Sequence, residues 1–162
     1  MKNTLICGVG NKLYGDDGLG PYIVELLEEK DDIPENVRVA DFGISGFKCA
    51  LTLSDYDRVI FVDAISLPGS EPGKPHLLRL TEDQLRHSPN LGDLNVSMHE
   101  TDLVKILATA SVLGFYPQEV IIIGVEPEDA SVREGLTETV KSKIPQIIDA
   151  IYKLINEDAS QN

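Results

Sequence analysis

The chain has 162 residues, with 27 acidic against 14 basic side chains and a formal net charge of −13. That balance excludes a phosphate-reading surface, because nucleic acid and anionic membrane are gripped by Lys and Arg. Apolar residues make up 42% and charged residues 25%, the proportions of a single globular domain over 1–162; no apolar run approaches the roughly 18–20 residues that a bilayer span needs.

The N-terminal stretch MKNTLICGVG holds one Lys and a short apolar run without a cleavage site. It reads as the first strand of a cytoplasmic protein rather than an export signal. Thr4 to Val9 is that strand, ended by Gly10. Pro21 then opens a helix through Ile23, Val24, Leu26 and Leu27, because a residue without an N–H fits the first helical turn. Val37 to Ala40 is a second strand, ending at Asp41-Phe42-Gly43. Ser45 to Leu53 is a helix with Phe47, Ala50 and Leu51 on one face, and Ser45 is suited to cap it. Arg58 to Ala64, rich in β-branched residues, is a third strand.

The segment from Ser66 to Lys74 carries two Pro-Gly pairs and reads as a loop. His76 to Leu80 fits a short edge strand, and Ser88 to Ser97 is polar and irregular. A helix follows from about Met98 to Leu113, with Leu103, Ile106, Leu107, Ala110 and Leu113 at helical spacing and Gly114 as its stop. Glu119 to Val125 is an almost unbroken apolar run, as in a strand covered on both faces. The last helix spans Leu136 to Asn156 and should kink or restart at Pro145; a polar tail follows Glu157. Strands alternate with helices, so the expected class is α/β: a three-layer sandwich of about five mostly parallel strands with helices on both faces.

Cys7 and Cys49 fit no CxxC spacing. A disulfide framework and a thiolate zinc site are not expected, and Cys7 is expected as a buried free thiol.

Open α/β sheets bind ligands beyond the carboxyl ends of their strands. Asp16 and Asp17 follow the first strand, Asp41 ends the second and Asp63 ends the third. Crowded carboxylates call for a cation, a shared proton or water between them; taken singly, each is also an ordinary cap or turn residue. His99 supplies a different donor. Ser97-Met98-His99-Glu100 matches a capping box, which sets His99 in a first helical turn. The positive end of the helix dipole disfavours imidazolium there, and neutral imidazole is the form that binds metal. Asp17, Asp63 and His99 would make a mixed oxygen and nitrogen site suited to nickel or zinc, with positions left open. The start Gly8-Val9-Gly10 matches the dinucleotide fingerprint only in part, since Leu13 stands where its third Gly belongs. No Walker A motif or nucleophile elbow is present.

Five segments together resemble a known family, the hydrogenase maturation endopeptidases, over nearly the whole chain. They are the GVGN start with its acidic pair and Gly (Gly8 to Gly20), the Asp-x-Gly-x-x-Gly segment (Asp41 to Gly46), the strand ending Asp63-Ala64, the helix-opening His99, and Gly-x-x-Pro-Glu (Gly124 to Glu128). The resemblance implies removal of a C-terminal extension from the large-subunit precursor of a nickel-iron hydrogenase. It implies a nickel-recognising trio of Asp17, Asp63 and His99, and a link between Asp41 and activity. Nickel would arrive in the precursor rather than reside in the enzyme. The first ligand is Glu in some members and Asp here, one methylene shorter, and Asp16 stands beside it as an alternative. Phe42 and Ile44 depart from the small or polar residues often found beside the family's Asp41 position, which bears on which hydrogenase is served. Rival readings are a non-enzymatic nickel-binding maturation chaperone and another metal-dependent hydrolase on the same fold.

Overall fold

The structure is a computed structural model and describes residues 1–87 and 102–157. Five strands, β1 (Thr4–Val9), β2 (Val37–Gly43), β3 (Arg58–Ala64), β4 (Pro75–Arg79) and β5 (Glu119–Val125), form one sheet in the order β2-β1-β3-β5-β4. All pairs are parallel except β4 on β5. The edge position of β4 matches its sequence: its outward residues Pro75, Leu77 and Arg79 are exposed, and Pro cannot serve a central ladder. β1, β3 and β5 are buried almost throughout, as strands covered on both faces must be.

Side-chain alternation splits the core in two. Leu5, Cys7, Val9, Val59, Phe61, Val120 and Ile122 face one way, beneath α2 (Gly46–Thr52), α3 (Glu82–His87) and α4 (Asp102–Leu113). Ile6, Ile60, Val62, Ile121 and Ile123 face the other way, beneath α1 (Leu19–Glu28) and α6 (Ile144–Asn156). The expected sandwich is therefore present, at about 1.5–3 kcal/mol for each fully buried large aliphatic side chain.

The element boundaries follow local chemistry. A 3-10 turn, Gly15–Gly18, leads directly into α1, and Pro21 stands in the first turn of that helix. α4 stops at Gly114, whose φ of 73° suits a residue without Cβ. The expected long C-terminal helix is two pieces. α5 (Glu138–Lys141) ends before Lys143, and α6 restarts with Pro145 at its N-terminus. Pro removes the N–H that would have joined them.

Two expectations need correction. α2 buries Cys49 and Ala50, with Leu53 beyond its end, while Phe47 is 68% and Leu51 44% exposed. Ala50 and Leu53, three residues apart, define its buried stripe; Leu51 lies about 100° away from Ala50. Ser45 occupies the N-cap position without a side-chain cap bond, and serves through its carbonyl, which accepts from Cys49 N. The start of the fourth helix before Asp102, the capping box around His99, the segment 88–97 and the tail after Glu157 lie outside the described residues.

Both thiols are free and fully buried, with sulfurs 3.5 Å apart between β1 and α2. Burial pushes the Cys7 thiol well up, and the hydrogen bond with Cys49 adds to it, as do the charges of Asp41 and Asp63. A thiol raised in the folded state keeps its contribution below the unfolded pKa and loses it as pH rises beyond that value. We expect no reaction of the native protein with a thiol reagent at pH 8, two equivalents after unfolding, and stability falling above roughly pH 8.5. Rapid native labelling of Cys7 would contradict this.

Candidate functional site

The parallel strands deliver their carboxyl ends to one edge. At that edge Gly8 of β1 lies between Asp41 of β2 and Val62 of β3, one residue before Asp63. Asp41 and Asp63 are thus two strand spacings apart, roughly 10 Å between Cα atoms. Both are close enough for their charges to bear on the Cys7 thiol beneath.

The two carboxylates belong to different faces. Asp63 shares its parity with Val59 and Phe61, which pack under α2 and α4, whereas Asp41 shares parity with Val37 and Val39 on the α1 side. Asp63 is half-buried and its Oδ1 accepts from Ala64 N at 2.8 Å. Asp41 is exposed on an edge strand; its Oδ1 accepts from Gly43 N at 2.7 Å, an Asx turn supported by the φ of 50° at Gly43. Asp41 is thereby set apart from Asp63.

The adjacent acids of the first loop have different environments. Asp17 is half-buried and accepts from Asn11 N at 2.9 Å, which folds the loop back on the end of β1. Gly10 allows that fold: its φ is 123°, and a Cβ there would stand 2.0 Å from the Asp17 carbonyl oxygen. Asp16 is fully buried. Its carboxylate accepts from Glu128 N, Asp129 N and Thr137 N at 2.8–3.0 Å, and from the Thr137 hydroxyl. The same hydroxyl accepts from Val140 N, so Thr137 caps α5 and serves Asp16 at once. Asp16 is an internal fastener between the first loop and the segment after β5. Its oxygens are committed to three backbone N–H groups and the Thr137 hydroxyl, whereas Asp17 faces the end of β1.

Sequence reasoning could raise the choice between Asp16 and Asp17 but could not resolve it, because the partners of Asp16 lie more than 110 residues away. It also passed over Glu126 and His76. Glu126 Oε2 accepts from Leu67 N at 2.9 Å and lies 3.6 Å from His76 Nε2, which is 3.2 Å from Ser70 Oγ. This group braces the loop after β3 at the β4 side of the same edge. Periodicity gives no sign of it, since Glu126 follows its strand and His76 reads as an edge residue.

His99 lies outside the described residues, and among those described no three His, Cys, Asp or Glu side chains are grouped to hold a metal ion. α4, described from Asp102, packs over the face to which Asp63 belongs. Its Ile106 is 3.1 Å from where a Cβ on Gly46, the first residue of α2, would stand. No described helix is long and apolar enough to cross a membrane.

Comparison with known proteins agrees with this architecture. A family model described as hydrogenase maturation protease matches residues 21–154. The hydrogenase 2 maturation protease of Escherichia coli is 31% identical over 94% of this chain and 90% of its own length. A putative hydrogenase maturation protease of Methanocaldococcus jannaschii is 35% identical, covering 93% and 94%. Among solved structures, the hydrogenase maturating endopeptidase HybD of E. coli superposes with a TM-score of 0.81 at 29% identity, over 96% of this chain and 93% of that one. With the model spanning most of its length and relatives matched nearly end to end, the chain belongs to the hydrogenase maturation protease family.

Proposed function

We propose that this protease removes the C-terminal extension of a nickel-iron hydrogenase large-subunit precursor after nickel insertion, and that it reads the nickel through Asp17, Asp63 and His99. The observation that carries the reading is the unequal environment of the acidic pair. Asp16 is consumed by the fold, while Asp17 stands half-buried at the edge where β3 delivers Asp63. His99 lies three positions before Asp102 in sequence, and a neutral imidazole brought to that edge would complete a set of two oxygens and one nitrogen suited to nickel.

Nickel is the precursor's cargo in this scheme. Nickel bound in the precursor can polarise the scissile carbonyl or activate water. The residues of this chain orient it: Asn11 N–H fixes one oxygen of Asp17, and Ala64 N–H fixes one oxygen of Asp63. Asp41, on the opposite parity and exposed, suits a contact with the tail rather than the metal. In this scheme the enzyme meets its precursor in the cytoplasm.

The test mixes purified protein with nickel-loaded precursor and follows tail loss by mass. Cleavage of nickel-loaded but not nickel-free precursor is expected, and His99→Ala is expected to abolish it with the circular dichroism spectrum unchanged. Stable binding without cleavage would favour a maturation chaperone. Equal cleavage of nickel-free precursor would overturn nickel recognition.

A further inference from the structure

The Asp16 fastener builds something besides a firm loop. Gly15 N donates to Arg133 O, Asp16 N to Asp129 O and Arg133 N to Leu13 O, so the first loop and the segment after β5 are zipped along their backbones. Tyr14 and Arg133 form a parallel bridge. Between this zipper and the first turn of α1 lies a cavity of about 430 Å³, lined by Lys12, Leu13, Gly15, Gly18, Tyr22 and the run Glu134 to Leu136. That volume lies in the range of roughly 300–1,000 Å³ found for small-ligand pockets.

Its lining combines apolar Leu13, Leu136 and the ring of Tyr22 with glycine backbone and two charged side chains, Lys12 and Glu134. Leu136 is nearly fully buried, while Leu13 is 67% exposed and stands in the wall. Lys12 is paired with Glu25 and brings no free positive charge. Glycines form three points of the wall; at Gly15 a Cβ would stand 2.4 Å from the Asp129 carbonyl oxygen. Tyr14 and Val132, both exposed, flank the two loops beside it. Exposed apolar side chains gathered at a preformed concavity mark a binding surface.

Position decides the occupant. Gly18 of the wall follows Asp17 directly, so the cavity adjoins the loop that carries that carboxylate. A protease holds its polypeptide through the side chains that flank the scissile bond. A mainly apolar cavity beside that loop fits an aliphatic or aromatic side chain, and the Glu134 carboxylate in its lining disfavours an acidic one. We propose that this cavity is a specificity subsite that takes an apolar side chain of the precursor segment bordering the cleavage point. The proposal rests on the reading of Asp17 as part of the cleavage site.

The test measures processing of nickel-loaded precursor as a function of its concentration. Leu13→Asp is expected to raise KM about tenfold or more with kcat within about twofold, and Leu13→Met to leave KM close to the wild-type value. Nickel affinity of the isolated protein, by calorimetry, should not change. Leu13→Ser serves as a second variant should Leu13→Asp fail to fold, with the same expected direction. Wild-type KM in a folded Leu13→Asp or Leu13→Ser variant would overturn the subsite while leaving the processing reading intact. Failure of the wild-type protein to process the precursor would overturn both.

Discussion

Alanine at position 16 is expected to destabilise the fold severely, whereas alanine at position 17, one residue on, leaves the fold intact and stops processing. Asp16 is fully buried and accepts from three backbone N–H groups and one hydroxyl. Removing it strands all four donors. An unsatisfied buried donor costs about 1–3 kcal/mol, partly recovered by water entering the gap. We expect a loss of about 3–5 kcal/mol, seen as a melting-temperature drop of roughly 10–15 °C for a chain this size. Asp17 accepts from the backbone N–H of Asn11 and is half-buried. Its removal should cost about 1 kcal/mol of stability. Processing should fall by more than about a hundredfold, beyond the 10–100-fold typical of groups one layer removed from a metal. Thermal melts and the precursor assay check both. If Asp16→Ala melts like the wild type, the fastener assignment fails. If Asp17→Ala processes normally, Asp17 is a turn residue and nothing more.

The contrast also shows where sequence reasoning reaches and where it stops. β1, β3 and β5 were legible because a strand buried on both faces needs an unbroken apolar run, and no neighbour can disguise that. The restart at Pro145 was legible because a missing N–H acts locally. The face of α2 was misread because Phe47 and Leu51 look like core residues, while the buried stripe is set by what α4 and β1 present to it. α3 went unread, since a six-residue helix with one buried side chain, Leu85, carries almost no periodicity. In the site, strand ends told which acids share an edge. They could not tell which acid of a pair turns inward, because that depends on Thr137 and the backbone of residues 128 and 129.

The glycine-rich start gives the second large effect, and here two physical rules predict opposite signs. Gly20 is the second residue of α1, where alanine would ordinarily favour the helix by up to about 0.5–1 kcal/mol. Yet a Cβ on Gly20 would stand 2.4 Å from the carbonyl oxygens of both Val9 and Val62 and 2.6 Å from Val9 N. Those are backbone atoms of β1 and at the end of β3, which cannot swing aside as a side chain could. Gly8 faces the same gap from the other side: its Cβ would meet the Gly20 carbonyl oxygen at 2.6 Å. The partial likeness of this start to a dinucleotide fingerprint thus has a packing cause, since close helix-to-strand approach is one of the duties glycine performs in that motif too. Contact wins over propensity, and Gly20→Ala is expected to cost about 3 kcal/mol, at the upper end of ordinary overpacking. Lifting the first turn of α1 also shifts Asp17 and Gly18, so processing should fall with stability. Gly8→Ala should cost a similar amount, and the double variant less than the sum, because one displacement of α1 relieves both clashes. Denaturant unfolding of the two single variants and the double variant measures this directly. A stabilised Gly20→Ala protein would mean that α1 stands farther from the sheet than 2.4 Å contacts allow, and strict additivity would mean that the two glycines do not share one gap.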